Sequence, residues 1–398
     1  MTDISRRQFL KYTGVSTLGA MATTLSLEDV ARAASASPLP LGTPILVIVT
    51  LYGGNDGLNT VVPYQDPAYA TLRPGLSLTE AQVLPLGQGL ALNGSMTGMK
   101  ALWDKNQLGI VLGVGYPQPN HSHFSSMAIW QTASPSSPIS SGWIGRWLDT
   151  QSRDPLRAVG VGSVLTPLLA GARRSGSMLP FGGMVVPTGA LGADVHQLAA
   201  SSAADVPLTK EAAIAMFNMF QVASTVEPVL AGVRATSTNP LTNQLALVAG
   251  LIAAGVPTRV HAVSIAGFDT HANELTAQTS LIGGVSDAVS GFLAQVNTTP
   301  RANDVVVLVY SEFGRRPIAN ASNGTDHGTA GPVFVAGNRV AGGFYGEQPS
   351  LSALVGGDLA VTSDFRDVYA SLLADVLSSD PASVIPGWTT KLNLIAAG

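Results

Sequence analysis

Five short runs of β-branched residues, each with a polar loop beside it, constrain this chain more than any other feature. They are Ile45–Thr50 (ILVIVT), Gly109–Val114 (GIVLGV), Arg259–Ile265 (RVHAVSI), Val305–Tyr310 (VVVLVY) and Pro332–Ala336 (PVFVA). Near-continuous hydrophobicity without alternation marks strands covered on both faces, as in a parallel sheet. Helical patterns fill the intervals: Ser95–Lys105, Ser125–Thr132, Thr209–Val226, Pro240–Ala254, Glu274–Val296 and Phe365–Leu377. The Gly283-Gly284 pair predicts a kink or break in the fifth of these. Strands alternating with helices predict a doubly wound α/β sandwich. The stretch 134–207 is rich in Gly, Ser and Pro, and it predicts a loop-rich lid or cap with short strands such as Gly183–Pro187.

Composition narrows the function classes. The chain has 398 residues, no cysteine, 46% apolar residues and only 12% charged ones. Without cysteine there is no disulfide framework and no thiolate-ligated zinc or iron–sulfur site. A formal charge of −4 offers no basic surface for nucleic acid or anionic membrane. After the leader described next, no segment is apolar for long enough to span a bilayer.

Residues 1–36 read as a twin-arginine export signal. Ser5-Arg6-Arg7-Gln8-Phe9-Leu10-Lys11 precedes a mild apolar segment from Val15 to Leu27, and Ala31-Arg32-Ala33 or Ala34-Ser35-Ala36 offers the cleavage site. This predicts a periplasmic or secreted protein, with the twin-arginine machinery as a partner. That route carries folded cargo, so it is compatible with a metal inserted before export. Residues 37–398 then form a single α/β domain.

Polar residues gather beside the strands. Asp56 follows the first run and Asn120-His-Ser-His-Phe-Ser-Ser126 the second. Gly267-Phe-Asp-Thr-His-Ala-Asn-Glu274 follows the third, Ser311-Glu-Phe-Gly-Arg315 the fourth, and Thr325-Asp-His-Gly328 precedes the fifth. In an open parallel sheet the carboxyl ends of the strands share one ligand-binding edge. Asp56, Ser122, Asp269, His271, Glu312 and His327 are therefore expected to converge, and four of the six histidines lie in these loops. Each loop alone reads as readily as a turn or a helix cap. Carboxylates mixed with imidazoles suit zinc, manganese or iron, and less readily calcium or magnesium.

The runs Leu51-Tyr-Gly-Gly-Asn-Asp-Gly-Leu-Asn-Thr-Val-Val-Pro-Tyr64, Ser311-Glu-Phe-Gly-Arg315, Thr325-Asp-His-Gly328 and Asp364-Phe-Arg-Asp-Val-Tyr369 resemble an exported bacterial family catalogued as domain of unknown function 1501. That family in turn resembles the alkaline phosphatase and sulfatase superfamily. The resemblance implies a three-layer sandwich with a largely parallel central sheet and helices on both faces. It also implies one or two divalent metals at the strand ends and hydrolysis of a small phosphate or sulfate ester. Carried over by position, the metal ligands fall on Asp56, Asp269, His271, Glu312 and His327, and the nucleophile on Ser122 at the start of a helix. Phe313 stands where the superfamily has a metal-binding histidine, and Ser126 where it has an arginine. The loss at Phe313 leaves a single metal unless His121 or His123 supplies the missing imidazole.

From the residue types, metal coordination would lower the pKa of the Ser122 hydroxyl. Backbone N–H groups at the helix start favour an anion. Arg315, Arg316 and the metal are the candidates for balancing charge on the transferring group, and His121 or His123 for protonating the leaving group. The alternative is a non-catalytic carrier or assembly protein that keeps the fold and a structural metal.

Overall fold

Alternate residues of the first strand face opposite ways, and both sets are buried. β1 (Ile45–Tyr52) sends Ile45, Val47, Val49 and Leu51 into one apolar core and Leu46 and Ile48 into another. A strand buried on both faces needs layers on both sides. The computed structural model describes residues 38–136, 139–152, 154, 156–180 and 235–396, and it supplies those layers.

The main sheet continues with β2 (Leu108–Gly115), β3 (Ala158–Val161), β4 (Ser177–Leu179), β5 (Val260–Ala266), β6 (Val305–Ser311), β7 (Gly331–Ala336), β8 (Gly343–Tyr345) and β9 (Ser363–Asp364). The order is β8-β2-β7-β6-β1-β5-β3-β4, with β9 pairing the end of β2. β1 lies parallel to β5 and β6, with Leu46 opposite both Val260 and Val306. β7 is the exception, running antiparallel to both β2 and β6. Reversal puts its beginning, not its end, at the edge where β2 and β6 finish. Residues just before β7 therefore reach the same edge as residues just after the other strands.

The longer helices are α1 (Thr97–Asp104), α2 (His123–Thr132), α3 (Trp143–Thr150), α4 (Pro240–Ala253), α5 (Glu274–Val296) and α6 (Phe365–Asp375). α1, α4 and α5 fill the core under one face of the sheet, and α2, α3 and α6 the core under the other. The break expected at Gly283-Gly284 does not occur, and α5 is continuous. The two glycines instead admit close neighbours. A Cβ on Gly283 would meet the Ser95 side chain, and one on Gly284 would meet Asn239. α2 is fixed by rings: Trp130 stacks on Phe365 at 4.6 Å and on Tyr310 at 5.1 Å between centroids. This wall sets where the start of α2 emerges at the sheet edge.

The described part of 134–207 supplies α3 and the strands β3 and β4, the latter at the edge of the main sheet. The leader 1–36, the strand Gly183–Pro187, the helix Thr209–Val226 and His196 lie outside the described residues. Among the described residues, no helix is long and apolar enough to cross a membrane.

A buried polar layer lies beneath the strand-end edge. Arg73 grips the fully buried Asp56 carboxylate at 2.5 and 2.9 Å and also donates to the carbonyls of Arg316 and Pro317. Burial alone would raise the Asp56 carboxyl, but the Arg73 charge holds it below its ordinary value. The buried Glu274 is left with the opposite fate. Its Oε2 accepts from Thr325 at 2.6 Å and its Oε1 has no hydrogen-bond partner. Burial and the neighbouring Asp56 charge push its carboxyl up to about 9 from 4.5. A group raised in the folded state contributes stability that is complete below its unfolded value and is lost as pH rises through the folded value. Glu274→Gln keeps an acceptor for Thr325 and removes that loss. It is expected to raise the melting temperature at pH 8, with the gain vanishing near pH 4.5, as read by calorimetry across that range.

Candidate metal centre

The loop after β1 can pass beneath its neighbours only because it lacks side chains. Gly53 and Gly54 hold φ values of +119° and +73°. A Cβ on Gly53 would strike the backbone of Phe268 and Asp269, and one on Gly54 would strike the Phe313 ring. The loops after β1, β5 and β6 thereby press together. Arg315 then ties them. Its buried guanidinium donates to the carbonyls of Gly53, Gly54, Phe268 and Thr325 and, at 2.6 Å, to Asp269 Oδ1.

Around that Asp269 oxygen three imidazoles converge. Nε2 of His271 lies 3.0 Å from Asp269 Oδ1, Nε2 of His327 lies 3.1 Å away, and Nε2 of His123 lies 3.3 Å away. The Nε2 atoms of His271 and His327 are 2.9 Å apart. Among the described residues, His123, Asp269 and His327 form the one group whose donor atoms lie mutually within 4.8 Å, with His271 closing on two of them.

Each imidazole has an acceptor behind it. His123 Nδ1 faces Glu312 Oε1 at 2.8 Å, His327 Nδ1 faces the carbonyl of His121 at 2.7 Å, and His271 Nδ1 lies 3.4 Å from Asp326. A nitrogen facing a carbonyl must carry the proton, so neutral His327 presents the Nε2 lone pair inward. Burial lowers the His327 pKa, which favours that neutral form. A lone pair aimed at a carboxylate oxygen is repulsive unless a cation lies between them. His123 Nε2 is likewise buried without a hydrogen-bond partner. Tetrahedral bonds of about 2.0–2.1 Å place ligand atoms about 3.3 Å apart, close to the spacings here. The residues fit a divalent ion held by His123, Asp269 and His327, with His271 beside two of these donors but outside the mutual group.

The hydrogen bond to Glu312, opposed by burial, raises the His123 pKa. Burial would raise the Asp269 carboxyl, but Arg315 and His327 bonding to it hold it well below the usual carboxylate range. Asp269 is 48% exposed and His271 45%, so the centre opens to solvent.

The positions read from the sequence divide as follows. Asp269, His271 and His327 lie together. His123, read as a catalytic group, joins them at the place left by Phe313, whose ring packs 4.9 Å from His123 and 5.0 Å from His327. Glu312 stands one layer back. Its Oε1 accepts from His123 and from the Gly53 N–H, and its Oε2 accepts from Ser311. Asp56 is not among these donors, because Arg73 occupies its carboxylate. Arg315 cannot balance charge on a substrate, since all its nitrogens are bound within the protein. Ser122 is exposed at the start of α2, and its hydroxyl makes no capping hydrogen bond. His121 is paired with Asp358 at 2.9 Å. Ser126 is buried between the Glu312 carbonyl and the Tyr116 hydroxyl, where an arginine would not fit. His261 is fully buried on β5 between strands and plays no part here.

Asp358, Asp326 and Arg73 were not found from the sequence. Asp358 follows Gly356-Gly357 in a tight turn far from any strand run, and Arg73 ends a short helix. Only the Gly-Gly-Asp turn signal was legible.

The chain matches known proteins at two levels. The family model described as "Protein of unknown function (DUF1501)" matches residues 194–380, in line with the resemblance read from the sequence. No curated protein matches the chain in sequence. Similar solved structures include the C-terminal periplasmic domain of EcEptC from Escherichia coli in complex with Zn, with 10% identity, 75% of this chain and 77% of that chain covered and a TM-score of 0.38. The alkaline phosphatase of the Antarctic bacterium TAB5 has 12% identity, 75% and 92% coverage and a TM-score of 0.32. The lipoteichoic acid synthase LtaP from Listeria monocytogenes has 7% identity, 78% and 71% coverage and a TM-score of 0.34.

Two outcomes test the centre. Removing a carboxylate that orients a ligating histidine weakens metal binding about 10- to 100-fold. Glu312→Ala is expected to weaken zinc binding by that factor in a competition titration, while Asp269→Ala should lose the ion from the purified protein by elemental analysis. Arg315→Met leaves four carbonyls and a carboxylate without their donor. It is expected to cost at least about 1–3 kcal/mol in denaturant unfolding, the scale for leaving a buried acceptor unsatisfied.

Proposed function

We propose that this protein is an exported, metal-dependent hydrolase that cleaves a phosphate or sulfate ester at a single-metal centre. The observation carrying the reading is the convergence of the Nε2 atoms of His123, His271 and His327 on Asp269 Oδ1, with an oxygen acceptor beside each Nδ1. When bound, a divalent ion supplies Lewis-acid charge that polarises an ester oxygen and acidifies a neighbouring hydroxyl. Zinc suits this donor set best, and manganese or iron also fits.

This chain's own groups would do the rest. Ser122 precedes the ligand His123, and its unbonded hydroxyl suits it to attack phosphorus or sulfur. The positive end of the α2 dipole, at the helix start beside Ser122, would favour the equatorial oxygens. The ester oxygen would leave with a proton from His121, whose Nε2 is oriented by Asp358. Water would then break the serine ester. The leader carrying Arg6-Arg7 supports export in the folded state, with the metal already in place.

One observation favours the alternative of a non-catalytic, metal-holding carrier. The guanidiniums of Arg73 and Arg315 are both buried and committed to protein groups, so neither can stabilise a transferring anion. The two readings separate in one experiment. Protein purified from the periplasm is expected to hold one divalent ion per chain and to hydrolyse 4-nitrophenyl phosphate or sulfate. Ser122→Ala should abolish turnover and keep the ion. Bound metal with no turnover of either ester would favour the carrier, and metal-free protein would exclude both.

A further inference from the structure

Three guanidiniums lie at the strand-end edge, and their donors are used very differently. Arg73 binds Asp56 and two carbonyls, and Arg315 binds four carbonyls and Asp269. Arg316 follows Arg315 on the short strand Arg315–Ala319, where successive side chains point to opposite faces. Its side chain is 41% exposed, and its single hydrogen bond to another side chain runs from Nε to Asp358 Oδ1 at 3.2 Å. Among the described residues, the terminal Nη groups have no protein acceptor.

Asp358 makes this a built site rather than a stray surface arginine. Its side chain is 7% exposed and it sits in the tight turn Val355–Asp358, with Gly356 and Gly357 at φ of +62° and +89°. One carboxylate oxygen holds Arg316 and the other holds His121 Nε2 at 2.9 Å. The His121 carbonyl in turn holds His327 Nδ1 of the metal centre. On its other side Arg316 acts electrostatically on Asp326, which pairs with His271. The guanidinium is thus held at the rim of the centre, with Asp358 and His121 between it and His327 by one route and Asp326 between it and His271 by the other.

We propose that Arg316, pinned by Asp358, forms an anion subsite beside the metal centre, which takes a second negatively charged group on the ester. This rests on the hydrolase reading and narrows its substrate class to esters with a further carboxylate, phosphate or sulfate group. A planar guanidinium with one edge fixed and the other free is suited to paired hydrogen bonds with such a group. Charge-assisted bonds of this kind correspond to about tenfold or more in affinity.

The test is calorimetric binding to the full-length, zinc-loaded protein, so it does not depend on turnover. The probes are phenylphosphonate and 4-carboxyphenylphosphonate, neither of which can be hydrolysed as an ester. The wild type is expected to bind the carboxylated probe about tenfold more tightly. Arg316→Gln should erase that preference, and Arg316→Lys should restore part of it. Equal binding of the two probes by the wild type, binding of neither, or a preference that survives Arg316→Gln would overturn the proposal. Absence of ester turnover alongside an intact, Arg316-dependent preference would instead refute the hydrolase reading and leave the subsite standing.

Discussion

The guanidinium of Arg315 is the interaction on which the candidate centre depends. Loop backbones brought this close together present carbonyl oxygens to one another, and such oxygens repel unless a donor satisfies them. Arg315 supplies the donors for carbonyls from three segments and fixes Asp269 in the same plane. Its charge is matched by Asp269, whose carboxylate reaches the buried guanidinium from the solvent-open side of the centre. The same residue therefore holds the scaffold together and keeps ionised the one carboxylate that the three imidazoles face.

Much of the architecture was legible, and the reasons are local. The strand runs Val305–Tyr310 and Ile45–Thr50 lie within observed β6 and β1, because continuous β-branched sequence has few alternatives when both faces are buried. Gly283-Gly284 misled because a glycine's freedom matters only when no neighbour uses the space. Here Ser95 and Asn239 use it. Arg315 misled for a similar reason. A sequence shows a cation in a loop, but not whether its nitrogens are already engaged. The exchange of roles between Asp56 and His123 was beyond reach, since it depends on Arg73 arriving from a separate helix to occupy Asp56.

The histidines illustrate how second neighbours set chemistry. An imidazole alone does not specify which nitrogen carries the proton. The Glu312 carboxylate and the His121 carbonyl decide it for His123 and His327, and they do so from positions that would not touch a bound ion. Phe313 contributes by packing against both rings, which restricts their rotation without competing for their nitrogens.

The reversed strand β7 has a consequence for how the molecule comes into being. It lies between β2 and β6, strands separated from each other by nearly two hundred residues of chain, and it follows both of them. Until Gly331–Ala336 has left the ribosome, those two strands have no partner to join them, and the segment carrying His327 is held at one end by its pairing with Arg315–Ala319. The start of α2, with Ser122 and His123, is likewise held away from the loops that follow β5 and β6. A nascent chain that stops short of β7 can thus build apolar layers yet cannot assemble the full ring of donors. The donor set can therefore close only after β7 has joined the sheet, with β8 and β9 still to follow.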